Sequence, residues 1–236
     1  VWHRKHLRTD DQLALSEAIA DGDIVCPLFV FDPTFYDDGL ACDTRIRVLH
    51  EAVTSLDRLY AASPGQTVDR AEYNSQIAAK SQLNPAQSHP ASADTPLTPA
   101  ETAGLTVAYG DPVALLGAFV DRGWSVLTMA TPTSRYGKRR DKRVREACGD
   151  AVRFLSGDGL VRDAEWTRKN WQSRAEDWLT GTQNTPEWGH SDATRLTLDT
   201  DVTPALVDEG FDITPAKQKI PTGTHHAATT QLREFV

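Results

Sequence analysis

Four basic side chains lie close together near the amino terminus of the chain. They are Arg4, Lys5, His6 and Arg8. At a strand end near a helix amino terminus, such a cluster can bind an anion or a charged chromophore, because cations and backbone N–H groups both favour negative charge. The alternative is local: Asp10 or Asp11 caps the helix, at about 1 kcal/mol, and Arg8 pairs with it. Both interpretations stay open, and the second needs no ligand.

A second basic segment runs from Arg135 to Arg145. Contacts between these cations and DNA phosphates would give an affinity that falls with salt. However, Asp141 and Glu146 alternate with the cations. The pattern therefore favours a solvated helix face.

Neither the cysteines nor the paired histidines indicate a metal site. Cys26, Cys42 and Cys148 are odd in number and lack the CxxC spacing, which predicts reduced thiols. His225 and His226 have no partners at ligand spacing. We predict no metal site in this chain.

The charge balance limits the possible partners. Acidic residues number 33 against 25 basic ones, for a net charge of −8, so no broad polycationic surface is expected. A halophilic source is one hypothesis for this balance. No apolar run approaches the roughly 20 residues that cross a bilayer, and no signal peptide is recognised. We expect a monomeric, cytoplasmic protein that does not bind membranes.

Short apolar runs alternate with helical patterns along most of the chain. After an opening strand, the runs are 24–31, 105–109, 124–129 and 152–155. The helical patterns are 11–20, 44–60, 112–121 and 138–148. Asp111 before Pro112 is typical of a helix cap followed by proline at the first helical position. The alternation predicts a doubly wound, Rossmann-like α/β fold, with a parallel five-stranded sheet and helices on both faces.

Two segments depart from this alternation. Residues 62–104 are rich in Pro, Ser, Ala and Thr, which predicts a flexible insertion within an α/β domain of residues 1–160. Residues 161–236 are more polar and predict an interdomain linker, with helices near 164–179 and 224–236. Trp171 and Trp178 lie seven residues apart, on one helix face, and are expected to anchor that helix on the sheet or on a neighbouring domain.

The order of several motifs resembles the photolyase/cryptochrome family. Residues 2–15, WHRKHLRTDDQLAL, are similar to the family's W-[HF]-R-R-D-L-R-x-x-D-N-x-x-L. Further similar segments are FVFDP at 29–33, RIRVL at 45–49, YGDP at 109–112, YGKRRDKRV at 136–144 and AATTQLREFV at 227–236. Six segments in register identify the chain as the family's amino-terminal α/β, or antenna, domain.

The resemblance implies a function that needs more than this chain. In complete members a helical domain binds FAD, and the excited reduced flavin passes an electron to a pyrimidine dimer flipped out of DNA. That domain is absent here, so we expect FAD and damaged DNA to bind outside these residues, no catalytic residue among them, and no repair by this chain alone. Val1 and Val236 are expected to be cut ends.

The resemblance also implies a cleft for an antenna folate or deazaflavin at the carboxyl ends of the strands. Its candidate antenna or anion-binding residues are Arg4, Lys5, Arg8, Tyr136 and Lys138. Here Ala130 begins the segment where deazaflavin binders carry N-x-D, and Gly137 stands where folate binders can carry Glu. We therefore expect either chromophore to bind weakly or not at all.

Two classes of function follow. One is the amino-terminal domain of a deoxyribodipyrimidine photolyase or related cryptochrome. The other is a stand-alone nucleotide- or chromophore-binding module, or a non-catalytic blue-light sensor fragment.

Overall fold

The architecture is that of a computed structural model, which describes residues 1–37, 39–63, 104–130, 134–156, 167, 169–188, 192–198, 200 and 202–235. The strands are β1 (Trp2–His3), β2 (Ile24–Val25), β3 (Leu28–Phe31), β4 (Thr106–Tyr109), β5 (Val126–Met129), β6 (Val152–Leu155) and β7 (Thr194–Arg195). The helices are α1 (Leu13–Asp21), α2 (Pro33–Asp37), α3 (Asp43–Ala62), α4 (Pro112–Val120), α5 (Arg135–Cys148), α6 (Trp171–Thr180), α7 (Pro204–Phe211) and α8 (His225–Phe235). Most of the predicted insertion, residues 64–103, lies outside the described residues.

All the paired strands are parallel. The pairings are β1-β3-β4, β2-β7 and β5-β6. The hydroxyl of Thr128 in β5 donates a hydrogen bond of 2.7 Å to the Trp2 carbonyl in β1, which brings these two groups of strands side by side. The predicted α/β class with a parallel sheet is confirmed, whereas a single five-stranded ladder is not seen among the described residues.

Alternate strand residues point to two separate apolar cores. Phe29 and Phe31 pack with α1 and α3, whereas Leu28 and Val30 pack with α4 and α5. This is the period-two alternation of a strand with both faces covered. The helices therefore cover both faces of the sheet, as predicted.

Pro27 divides the predicted strand 24–31 into two. A proline has no N–H for a strand ladder, so regular pairing stops at this position. The first half, β2, pairs with β7, and the second half, β3, lies between β1 and β4. The amino-terminal nitrogen of Val1 donates to the Cys26 carbonyl at 2.8 Å and connects β1 to this break.

The helix caps agree only in part with the caps predicted from the sequence. Asp111 caps α4 by accepting from the Val113 amide at 3.0 Å, as predicted. The cap of α1, however, is Gln12, which accepts from the Ala14 amide at 3.3 Å, so the prediction of Asp10 or Asp11 is wrong. Asp11 instead has a φ of 48° and accepts from the Asn184 amide. That contact ties the segment after α6 to the start of α1.

The carboxy-terminal third contains more structure than its polar sequence predicts. Strand β7 and helix α7 were both missed. The segment around β7 buries Ala193, Leu196 and Leu198 in the two cores. In α6 the buried residue is Ala175, while Trp171 and Trp178 stay 47% and 41% exposed, so the expected anchoring of these indoles on the sheet is wrong.

Arg195 provides a test of how this segment packs. Its side chain is 2% exposed, and within the described part of the chain its Nε and Nη1 have no hydrogen-bond partner. The Trp188 ring lies 5.7 Å from the guanidinium carbon. Burial of an unsatisfied cation costs several kcal/mol, of which a cation–π contact returns about 1–2.

We therefore expect Arg195→Met to raise the free energy of unfolding by about 1–3 kcal/mol, measured by urea denaturation at pH 7. The control is Arg153→Met, which removes an exposed arginine paired with Glu17 and should change stability by less than about 1 kcal/mol. A loss of stability in Arg195→Met would show that its guanidinium has a partner after all.

Candidate functional site

Polar and aromatic residues gather where the parallel strands end. Arg4 and Lys5 follow β1, Asp32 follows β3 and Tyr109 ends β4. Because the carboxyl ends of parallel strands meet at one edge of a sheet, these residues share an edge, where open α/β sheets usually bind ligands. We call it the carboxyl edge.

The Arg4 side chain is buried in the protein interior. Its guanidinium donates to the Thr128 hydroxyl at 3.1 Å, to the Met129 carbonyl and to the Asp141 carboxylate. The indole ring of Trp2 lies 4.8 Å from its guanidinium carbon. Burial lowers the pKa of Arg4 to about 10, against the opposing effect of Asp141. Arg4 therefore pins β1 to β5 and α5.

Asp32 and Tyr136 form a second buried contact at the carboxyl edge. One Asp32 oxygen accepts from the Thr34 amide at 3.0 Å, and the other accepts from the Tyr136 hydroxyl. Burial, followed by this bond to a carboxylate, raises the pKa of Tyr136. Tyr136 thus stays protonated and acts as a donor.

A relay of three side chains connects α2, α3 and α7. His50 is 2% exposed, and its two ring nitrogens lie 2.7 Å from the Tyr36 hydroxyl and 2.6 Å from an Asp208 oxygen. An ionised carboxylate can only accept, so Nδ1–H donates to Asp208 and Nε2 accepts from Tyr36. Burial lowers the pKa of His50 and raises that of Tyr36. The relay holds α7 against the carboxyl edge.

The end of α7 covers the aromatic part of this edge. The Phe211 ring stacks on Tyr36, with centroids 4.6 Å apart and planes 18° apart, and lies 6.0 Å from the Tyr109 ring. The Asp32 and His50 side chains are already hydrogen-bonded by neighbours. In this conformation Phe211 covers one face of the Tyr36 ring, which a flat chromophore therefore cannot stack on.

The five sequence-predicted site residues divide into two groups. Arg4, Lys5 and Tyr136 share Arg140 as a neighbour: its guanidinium carbon is 5.3 Å from the Tyr136 ring, and its charge helps to lower the pKa values of both Arg4 and Lys5. Arg8 lies apart and donates to the Asp10 and Asp11 carbonyls at 3.0 and 2.9 Å.

Lys138 is exposed on α5. The antenna or anion-binding role of all five residues stays a prediction.

The sequence did not indicate the hydrogen-bonded relay of Tyr36, His50 and Asp208. It also did not indicate that Phe211 stacks on Tyr36. Asp32 could have been found, because it directly follows a predicted strand and precedes proline. His50 and Asp208 are 158 residues apart, and no local pattern joins them.

Two searches of the described residues concern other kinds of site. No group of three or more His, Cys, Asp or Glu side chains within them is arranged to hold a metal ion. Among the same residues, no helix has both the length and the apolar character needed to cross a bilayer.

Comparison with known proteins supports the resemblance drawn from the sequence. Residues 1–77 match the family model described as DNA photolyase, so the resemblance is confirmed for this part of the chain. No curated protein matches the sequence.

Solved structures extend the similarity in fold over nearly the whole chain. A bacterial class III photolyase from Agrobacterium tumefaciens aligns with 99% of this chain at a TM-score of 0.58 and 18% identity. An archaeal photolyase from Sulfolobus tokodaii, whose structure holds two FAD molecules, aligns with 93% at a TM-score of 0.53 and 14% identity. The chain spans only 43% and 42% of these two proteins. It has the fold of the amino-terminal α/β part of a photolyase.

Proposed function

We propose that this chain is the amino-terminal α/β domain of a light-dependent DNA repair enzyme, a deoxyribodipyrimidine photolyase or a related cryptochrome. The observation that carries the proposal is the match of residues 1–77 to the DNA photolyase family model. The shared fold over 93–99% of the chain supports it.

In this proposal, catalysis and the binding of FAD are assigned to a part of the protein that this chain does not span. Catalysis, FAD and damaged DNA belong to a further helical domain, because the chain spans 42–43% of the solved photolyases. When bound, reduced FAD supplies the excited electron that splits the pyrimidine dimer. The α/β domain of residues 1–160 and the linker of 161–236 then act as a scaffold, to which the relay through His50 fixes α7.

We further propose that this domain binds a folate or deazaflavin antenna weakly or not at all. The stacking of Phe211 on Tyr36 supports this proposal, since it leaves one aromatic face fewer for a flat chromophore at the carboxyl edge. A stoichiometric near-ultraviolet chromophore that stays bound through purification would contradict it.

The expected location and assembly state are also part of the proposal. We propose a monomeric, cytoplasmic protein, and we propose a halophilic source on the basis of the net charge of −8. Gel filtration in molar KCl tests the state: elution as a folded monomer supports it, and aggregation at that salt contradicts it.

The repair assay tests the function directly. The intact gene product is purified and mixed with a duplex oligonucleotide that contains one cyclobutane pyrimidine dimer, in blue light and in the dark. We expect light-dependent loss of the dimer with the intact protein and no loss with the 236-residue chain. An intact protein that holds FAD but repairs neither cyclobutane dimers nor other pyrimidine photoproducts would contradict the repair function and leave light signalling.

A further inference from the structure

Helix α5 carries a dense set of cations on its exposed side. Seven of its fourteen residues are Arg or Lys. Four of them share one helix face, at spacings of three, four and seven residues. These four exposed residues, which we call the cationic face, are Arg135, Lys138, Arg139 and Lys142. The opposite face is buried and packs on the sheet.

Asp141, one of the two acidic residues that alternate with these cations, does not lie on the exposed face. Asp141 is 5% exposed and binds Arg4 and Arg140 on the inner side of α5. At the surface, Lys142 pairs with Glu146 at 3.6 Å. Three of the four cations of this face, Arg135, Lys138 and Arg139, therefore have no carboxylate partner among the described residues.

This arrangement lowers the stability of the helix that carries it. Arg135 and Arg139 are like charges at i and i+4, as are Lys138 and Lys142, and each such pair costs about 0.2–0.5 kcal/mol. The helix dipole also disfavours cations in the first turn, where α5 has no acidic residue. Departures of this kind from local preference are expected at functional surfaces.

Two cations from other elements extend the positive region. Lys5, after β1, and Arg45, in α3, are both exposed. The positive charges of Arg140, Arg45 and Arg4 contribute, after burial, to lowering the pKa of Lys5. Lys5 thus has cations of α3 and α5 near it, in a protein whose net charge is −8.

We propose that the cationic face binds the phosphodiester backbone of duplex DNA, in addition to the binding of damaged DNA by the further helical domain. The proposal rests on the proposed function only in its choice of DNA as the polyanion. From Arg135 to Lys142 the helix rises about 10 Å, enough to place its cations beside several successive phosphates of one strand. Such contacts carry no sequence information, so the face holds and orients DNA without reading its sequence.

The test measures the affinity of the 236-residue chain for a fluorescein-labelled 20-base-pair duplex by fluorescence anisotropy, at KCl concentrations between about 20 and 200 mM. One triple variant combines Arg135→Gln, Lys138→Gln and Arg139→Gln. Glutamine keeps the helix propensity while removing the charge. Each lost phosphate contact reduces the slope of log affinity against log salt by about 0.9, so we expect a reduction of about 3.

The matched control removes three exposed cations away from α5: Lys217→Gln, Lys219→Gln, Arg233→Gln. Both variants have the same net charge, and their circular dichroism checks that they are folded. The proposal predicts that the control keeps nearly the whole salt slope. Equal effects of the two variants, or no binding of DNA by the unaltered chain at the lowest salt, would overturn it.

The result can be separated from that of the repair assay. Repair by the intact protein without DNA binding through α5 would reject this inference and leave the proposed function standing. DNA binding through α5 in an intact protein that repairs nothing would support this inference and reject the proposed repair function.

Discussion

Replacing Arg4 with methionine should lower the free energy of unfolding by about 3–5 kcal/mol. The substitution keeps an apolar stem but removes the buried cation that follows β1, so Asp141 keeps only its contact with Arg140. It also removes donors to the Thr128 hydroxyl and the Met129 carbonyl. Because domains of this kind have only about 5–15 kcal/mol of stability, the variant should unfold at a much lower urea concentration.

A double substitution distinguishes the removal of both charges of the Arg4–Asp141 ion pair from the removal of Arg4 alone. Arg4→Met combined with Asp141→Leu removes both charges, so we expect it to regain most of the stability that Arg4→Met loses. Arg8→Met serves as the control, since Arg8 is partly exposed and should contribute less than about 1 kcal/mol. A cost below about 1 kcal/mol for Arg4→Met would mean that the buried pair does not hold β1 to α5.

Acid should destabilise the protein through His3, which is 2% exposed. Burial, and then the positive amino terminus, lower the pKa of His3 from its ordinary 6.5 to about 3. Between these two values the unfolded chain binds a proton that the folded chain does not. Stability due to neutral His3 is therefore complete above pH 6.5, and is lost by about 1.4 kcal/mol per pH unit as the pH falls towards 3.

The neutral ring has a defined role in the fold. His3 Nδ1 lies 3.2 Å from the His6 carbonyl, which can only accept, so Nδ1 carries the proton and Nε2 accepts from the Tyr60 hydroxyl at 2.6 Å. We expect His3→Gln to be less stable at pH 7 but to lose less stability on acidification than the unaltered protein. The measurement is urea denaturation at pH values from 7 to about 4, the window set by the two pKa values.

The control for this prediction is His225→Gln, an exposed histidine at the start of α8, which should leave the pH dependence unchanged. If His3→Gln loses stability with acid as steeply as the unaltered protein, another group is responsible. The buried His50 would then be the first to examine, since burial also lowers its pKa.

Hydrophobic periodicity was enough to predict most of the α/β core. The bounds of α3, α4 and β6 differ from the predicted ones by two residues or fewer, because these elements have a local apolar pattern that matches their environment. Strand β7 and helix α7 lack such a pattern. Their order comes from contacts with distant segments, such as the pairing of β7 with β2 and the bond from His50 to Asp208.

The candidate site was predictable in location but not in its contacts. The sequence placed Lys5 at a strand end, where ligands usually bind, and the resemblance to photolyases added Tyr136 to the candidate residues. It could not show that Asp141 turns inward to pair with Arg4, because a residue between cations on a helix can lie on either face. That single orientation determines two properties: Asp141 neutralises Arg4 inside the protein, and it is not available to Arg135, Lys138 and Arg139 on the outer face of α5.

The central claim is that these residues form one part of a longer flavin enzyme. The most direct test is the mass of the native protein, detected in cells of its source with antibodies raised against this chain. Because the chain spans 42–43% of the solved photolyases, the account predicts a product of more than twice 26.0 kDa. A native product of about 26.0 kDa would contradict it and would favour a stand-alone binding module.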